Sequence, residues 1–192
     1  MFQKVESKKD FKTFKKTWGK VCRKQKWHND PYSPDGIKYN LKQSHSSIFP
    51  FKNRETIFGT IEFIPYSPGN NYSSVEGPNR YSFSTLPAIQ ENQGRVWEID
   101  KLCLASEYQR KGYFESFFRV FDDHINTYQP KFYIALMEKK FYRMMRIMFG
   151  LAIEGKKEFS GHNNSLIAVI FDVEKLMDDR KKVDALKKLA KT

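Results

Sequence analysis

The feature that most constrains this 192-residue sequence is the run between residues 96 and 128. Residues 96–104, VWEIDKLCL, have the β-branched and aromatic content of a strand. Residues 105–111 are polar and basic and end at Gly112. Beyond it Phe114, Phe117, Phe118, Phe121, Ile125 and Tyr128 follow at spacings of 3, 1, 3, 4 and 3, the signature of an amphipathic helix, and Gln129-Pro130 stops it. A helix N-terminus with free amides and a positive dipole end attracts anions. Gln109, Arg110 and Lys111 add donors and charge before it, and Gly112 permits close backbone approach. These residues point to a phosphate-bearing ligand. They match neither the G-x-x-x-x-G-K-[ST] loop of nucleotide hydrolases nor the dinucleotide pattern G-x-G-x-x-G.

The flanking segments extend the same pattern. Residues 132–137 (FYIALM) read as a short apolar strand, 140–149 as a helix ended by Gly150, and 166–171 (LIAVIF) as a buried strand. Residues 173–191 read as a basic amphipathic helix, which completes a layered α/β domain. Upstream, strands are expected at 37–41 and at 56–64, where TIFGTIEFI alternates. Asn29-Asp30-Pro31 and Ser33-Pro34-Asp35-Gly36 read as turns that end a helix over 1–27, whose face is Phe2, Val5, Phe11, Phe14, Trp18 and Val21. That segment holds ten Lys/Arg against Glu6 and Asp10, a charge of 10 − 2 = +8. It reads either as a docking surface for an acidic partner or as a solvated helix back. Gly, Pro, Ser and Asn make up 16 of the 32 residues over 64–95, so a mobile loop is expected there. Tyr66, Tyr72, Tyr81 and Phe83 equip it to border a substrate site.

The length fits one domain, spanning residues 1–192. No apolar run approaches the ~20 residues of a membrane span, and the opening residues lack the apolar stretch of a secretory signal. Cys22 and Cys103 are too few for a disulfide scaffold, so a reduced, cytoplasmic setting is expected. The net charge of +12 favours polyanionic partners without choosing among them. Nucleic-acid binding rests on charge alone, because no aromatic RNA-binding octamer or zinc finger is present. His28, His45, His124 and His162 are scattered and suggest no metal site. Cys103, in an apolar strand with no identifiable histidine partner, reads as a buried inert thiol.

The strand Leu102-Cys103-Leu104, followed by Gln109-Arg110-Lys111-Gly112-Tyr113-Phe114, resembles the acyl-CoA pyrophosphate loop of the GNAT acyltransferase superfamily, Q/R-x-x-G-x-G/A. Gln109 and Gly112 match, while Phe114 stands where Gly or Ala is usual. The order of elements over 56–171 is similar to that fold as well. The resemblance implies a mixed, mostly antiparallel twisted sheet flanked by helices, an acyl-CoA-binding core over 96–171, acetyl-CoA or another acyl-CoA as co-substrate, and a small amine acceptor. It also implies a carboxylate base on the strand before the loop. Glu98 holds the position similar to that base, and Asp100 lies two residues on, on the same face. Either can accept the proton that an ammonium acceptor loses before attacking a thioester, or is instead exposed or paired with Lys101 or another basic neighbour. Family members often carry a tyrosine acid before a Y-x-x-x-G ending; Arg146 occupies that place here, and Tyr142, one turn earlier, is the nearby phenol.

Trp97-Glu98-Ile99-Asp100-Lys101-Leu102 is further similar to the glutamate-bearing strand of acyl-homoserine-lactone and N-acyl amino acid synthases. Those relatives often draw acyl groups from acyl carrier protein, an acidic partner suited to the +8 segment and to Lys139, Lys140, Arg143 and Arg146. Two enzyme readings therefore stand together: transfer from acyl-CoA to a small amine, and synthesis of N-acyl amino acids or lactones from a carrier-bound acyl chain.

Overall fold

The computed structural model describes residues 1–27, 36–42, 57–71, 73–160 and 165–191. The turns expected at Asn29-Asp30-Pro31 and Ser33-Pro34-Asp35 lie outside these residues, as do Tyr72, His28, His45 and His162. Seven strands form one sheet in the order β1-β2-β3-β4-β5-β7-β6. They are β1 (Phe2–Lys4), β2 (Ile37–Lys42), β3 (Ile57–Pro65), β4 (Val96–Leu104), β5 (Phe132–Glu138), β6 (Ile153–Ser160) and β7 (Ser165–Asp172). Every pair is antiparallel except β4–β5, which runs parallel. The expected mixed, mostly antiparallel α/β architecture is the observed one.

That parallel pair is also the shortest of the central ladders. It joins Val96↔Phe132 through Ile99↔Ala135 and then stops, although β4 continues to Leu104 and β5 to Glu138. β4 instead follows β3, with Thr60↔Cys103 and Glu62↔Asp100 in register. One residue of β3, Ile61, thus opposes two of β4, Lys101 and Leu102, a bulge marked by Lys101 at φ 49. The two strand ends part and leave a slot in the sheet.

Strand alternation assigns the faces. Ile99, Ala135, Val169 and Gly155 share a register row and one face; Glu98, Ile134, Ile170 and Glu154 share the next row and the other. The Ile99 face is covered by α3 (Ser116–Tyr128), α4 (Lys139–Phe149), α5 (Val173–Asp178) and α6 (Arg180–Lys191). The Glu98 face is covered by α1 (Lys8–Gln25), which buries Phe14, Trp18 and Val21, and by the segment between β3 and β4. Ser7 caps α1 by accepting the Asp10 amide at 3.1 Å, and Lys26 ends it at φ 56.

Four sequence expectations are revised. Residues 1–27 are not one helix: Phe2 pairs with Leu41 and packs on Tyr39 at 5.4 Å, so the first residues extend the sheet. The 64–95 segment is not a structureless loop but carries α2 (Pro87–Gln90) and helical turns at Phe83–Thr85 and Gln93–Arg95. It is tied down by burying Val75, Phe83 and Ile89 against Val96, Ile134, Ala168 and Ile170. The C-terminal helix is two, because Asp179 leaves helical geometry at ψ 79 and caps the second through the Lys182 amide at 3.2 Å. Finally, β6 is an added edge strand whose Lys and Glu residues disguised it.

Gly59 allows β3 and β4 to approach: an added Cβ meets the Cys103 carbonyl at 2.6 Å and Leu41 and Phe117 at 3.2 Å. Gly59→Ala should therefore cost about 1–3 kcal/mol of stability in urea denaturation. An unchanged midpoint would show that the two strands part freely.

Candidate active site

The site is organised around the end of the β4–β5 ladder. Glu98 lies on its last turn of register, opposite Ile64 of β3 and Ile134 of β5, and is fully buried beneath the 66–90 strap. Neither carboxylate oxygen has a hydrogen-bond partner of good geometry among the described residues. Burial pushes its pKa up to about 7; Asp100 and Glu76 push the same way, while the nearby Ser73 hydroxyl and Arg80 oppose them. The strap itself is knotted by Glu76, which accepts Tyr66 Oη at 2.5 Å, the Ser84 amide at 3.0 Å and Ser84 Oγ at 2.5 Å.

Asp100 shares the Glu98 face but has a different environment. Its carboxylate accepts Lys101 Nζ at 2.7 Å and the Lys101 amide at 2.8 Å. Lys101 also reaches Glu62 at 3.1 Å, and Glu62 pairs with Lys38 at 2.5 Å. Two acids and two lysines thus compensate one another in a buried group beside Glu98. Sequence reading missed Glu62 and Lys38. The lone charge within TIFGTIEFI was a usable signal for Glu62; the alternative that Asp100 pairs with Lys101 is the one observed, and the bulge turns Lys101 inward to reach Glu62 as well.

The distal part of β4 and the turn after it hold the expected co-substrate residues. Leu102, Cys103 and Leu104 lie on the arm beyond the split. Cys103 is buried against Thr60 Oγ1 at 3.1 Å, and burial pushes its thiol up to about 11. Leu104 accepts Gln109 Nε2 at 2.9 Å, which fastens the turn to the strand. Arg110 at φ 60 and Gly112 at φ 80 then form a left-handed turn into α3. The amides of Arg110, Lys111 and Gly112 have no acceptor among the described residues, and both cationic side chains are exposed. An added Cβ at Gly112 meets nothing within 4 Å, so glycine is required there for its positive φ. Such a turn suits an anion of two or more oxygens. Tyr113 packs on Phe58 at 5.1 Å, and Phe114 fills the space between α3 and α4 against Phe117 and Phe141.

Tyr142 sits apart from Glu98. Its hydroxyl accepts the Gly155 amide at 3.1 Å, and Gly155 shares the Ile99 face, so the two side chains lie on opposite sides of the sheet. Arg146 donates to the Gly150 carbonyl at 2.7 Å and to that of Ile153, which closes the end of α4. Lys139 pairs with Glu158 at 2.8 Å, so of the basic residues expected there for docking only Lys140 and Arg143 stay clear of these bonds. Below the slot, on the Ile99 face, lies an apolar chamber of about 90 Å³ lined by Ile99, Ala135, Met137, Phe118, Met145 and Phe149, among others. No sequence signal announced it. His124, the one histidine in the described core, bonds Tyr133 Oη through Nδ1 at 2.8 Å; burial lowers its pKa to about 3, so it is neutral.

An open antiparallel sheet split at one parallel pair, with an anion-ready turn after the split strand, is the GNAT-type acyltransferase fold. Solved structures of that fold superpose on nearly the whole chain. BjaI, a CoA-dependent acyl-homoserine lactone synthase solved with SAM and isopentyl-CoA, matches at TM-score 0.63 and 10% identity, over 98% of this chain and 89% of that one. FeeM, an N-acyl amino acid synthase from uncultured soil microbes, matches at 0.61 and 10%, over 93% and 94%. A chimera of the Vibrio cholerae spermidine N-acetyltransferase SpeG and hSSAT matches at 0.52 and 9%, over 93% and 99%. No family model matches the chain, and no curated protein matches it in sequence. The likeness is one of fold. No helix among the described residues is long and apolar enough to cross a membrane.

The raised Glu98 pKa has a consequence for stability. A carboxyl whose folded pKa of about 7 exceeds its ordinary 4.5 favours the folded state most when protonated. Wild-type stability should therefore fall as pH rises from about 4.5 to about 7, by at most about 3 kcal/mol, and level off above. Glu98→Gln removes that slope, so its stability relative to wild type should rise across the same window. Denaturation midpoints at pH 4 to 8 check this; parallel curves for the two proteins would give Glu98 an ordinary proton affinity.

Proposed function

We propose that the chain is an N-acyltransferase that moves an acetyl or longer acyl group from a CoA thioester to the amine of a small acceptor. The observation that carries this reading is Glu98, a buried carboxylate with no well-formed hydrogen bond among the described residues, whose pKa of about 7 matches a general base, placed where the two central strands part. The surroundings supply the other requirements. The turn Gln109–Phe114 offers three amides and two cations to a pyrophosphate. The unpaired edges of β4 and β5 offer backbone groups to an amide-bearing arm. A 150 Å³ cavity holds a benzene ring, so the chamber of about 90 Å³ has room for about three or four acyl carbons as it stands.

In this reading Glu98 takes a proton from the acceptor ammonium. The amine nitrogen attacks the thioester carbonyl, the new C–N bond forms as the C–S bond breaks, the thiolate departs with its electron pair, and the second nitrogen proton passes to that thiolate or to solvent as the neutral amide forms. Its conjugate thiol has a pKa of about 8.5, so departure requires no acid from the protein. This accords with Tyr142 lying on the other face, where it serves α4 and β6. Asp100 is tied to Lys101 and is the less available base.

The donor has a second candidate, favoured by one arrangement. Lys8, Lys9, Lys12, Lys15 and Lys16 are exposed along α1, and that helix reaches the co-substrate turn through Lys20–Glu107 at 2.8 Å and Lys24–Ser106 at 2.5 Å. This continuous basic surface fits an acidic acyl carrier protein as donor.

Two experiments test these readings. Gly112→Asp places a carboxylate beside the pyrophosphate and a side chain at positive φ; CoA affinity by calorimetry should fall at least about tenfold, and Glu98→Gln should bind CoA yet turn over about 100-fold more slowly. Undiminished CoA binding by the Gly112 variant would remove the donor assignment. Separately, rates with acyl-CoA and acyl-carrier donors are compared at low and moderate ionic strength. If the carrier is the donor, its rate falls with salt and slows selectively when Lys8, Lys9, Lys12, Lys15 and Lys16 become Gln. Equal behaviour of both donors would leave α1 no part in donor choice.

A further inference from the structure

Six large apolar side chains stand well out into solvent among the described residues, and half of them lie on one stripe. Lys140, Arg143, Met144, Ile147 and Leu151 follow at spacings of 3, 1, 3 and 4, which is one face of α4 continued into the turn after it, and all five are exposed. Ile147 and Leu151, at 84% and 72%, are the two most exposed of the six. The inward face of α4 buries Met145 and Phe149, so the helix packs on the core without them. Single exposed apolar residues are ordinary; a row of them marks a contact surface.

The charge around the stripe is mostly of one sign. α4 carries Lys139, Lys140, Arg143 and Arg146 and no acid, and Lys140 and Arg143 enter no ion pair among the described residues. α6 adds six Lys/Arg against Asp184 alone, and its Lys182 Nζ lies 2.8 Å from where a Gly150 Cβ would stand. The nearby acids Glu154 and Asp179 are taken by Lys156 and Lys182 at 2.7 and 3.0 Å. These features select the occupant. A two-fold contact with a second copy sets Lys140 and Arg143 among like charges. Protein partners are held by aromatic and arginine anchors seated in pockets, whereas this stripe is aliphatic and protrudes. Protruding aliphatic side chains bordered by cations match a bilayer, whose anionic head groups overlie hydrocarbon.

We propose that the outward face of α4 docks the protein on an anionic lipid surface. Met144, Ile147 and Leu151 enter the boundary between head groups and acyl chains, and Lys140 and Arg143 pair with the head groups. Such docking requires neither the acyltransferase reading nor a particular donor. It turns the Ile99 side of the sheet toward the bilayer. On that side α5 packs on the turn carrying Leu151, and its Met177, which is 42% exposed, also lines the apolar chamber.

The test is co-sedimentation with phosphatidylcholine vesicles, with and without phosphatidylserine. Wild type should partition onto the phosphatidylserine vesicles, less so as salt rises, and scarcely onto phosphatidylcholine alone. The double variant Ile147→Ser, Leu151→Ser should bind at least about tenfold more weakly yet keep its melting temperature, because both side chains are exposed. Lys140→Gln with Arg143→Gln should also lose about tenfold or more. A net charge of +12 draws the protein to anionic vesicles by other faces too, so the serine variant is compared again where Lys8, Lys9, Lys12, Lys15 and Lys16 are Gln. Its fold-loss should be the same there, since α1 covers the opposite face of the sheet. Absence of binding to phosphatidylserine vesicles overturns the proposal. So does equal binding of wild type and the serine variant, or a fold-loss that vanishes in the α1 background. A concentration-dependent dimer in sedimentation velocity that Ile147→Ser abolishes would assign the stripe to a second copy instead.

Discussion

The parting of β4 from β5 is the constraint on which the rest of the molecule depends. β4 leaves its parallel partner after Ile99 and stays with β3 by accepting a bulge at Lys101. A non-glycine residue at φ 49 costs about 1–2 kcal/mol. The ammonium of that residue is buried between Glu62 and Asp100, and removing either partner strands a charge in the interior. Bulge and ion group therefore hold each other in place. Their joint product is a slot in the sheet, with the apolar chamber on one face and Glu98 on the other.

The same group explains why one carboxylate differs from its neighbours. Glu62, Asp100 and Glu98 share a face, but only two lysines are built into it, and Glu62 and Asp100 take both. Glu98 is left with burial as its dominant influence, and burial favours the neutral acid. Asp100 lies two residues away and has an ammonium in contact, so spacing along a strand alone could not separate the two. A buried carboxylate without a cation beside it lowers stability at neutral pH, and keeping one while the acids beside it are compensated is consistent with the base role proposed for it.

What the sequence revealed followed the range of the interactions. The strand, basic turn and aromatic helix over 96–128 are local, and their pattern led directly to β4, the left-handed turn and α3. Glu98 was singled out through the resemblance of its strand to a carboxylate-bearing family position, since VWEIDKLCL carries three charges and its pattern alone does not separate Glu98 from Asp100. β6 was hidden because an edge strand needs little apolar sequence, and β1 because Phe2 and Val5 fit either period. The chamber, the reach of Lys101 to Glu62 and the separation of Tyr142 from Glu98 arise from register across strands, which no single segment encodes. Phe114 shows the same limit: its departure from a small residue is explained by Phe141 on α4, 27 positions later, whose ring lies 5.5 Å away.

The two faces of the slot also separate the partners of the proposed reaction. On the α1 face Trp27 donates its indole N–H to Glu138 at the end of β5, at 3.0 Å, while its ring packs on Trp18 and the cluster containing Cys103 and Ala105. One side chain thus bridges the parted arms on that face. An acyl chain lying in the slot finds an aromatic roof above and an apolar chamber below, so it extends toward the Ile99 face. On the α1 face the proposed base Glu98 lies at the closed end of the slot, buried under the strap. In the proposed reaction the donor tail and the acceptor amine therefore approach from opposite sides of one sheet and meet at the row where β4 and β5 cease to pair.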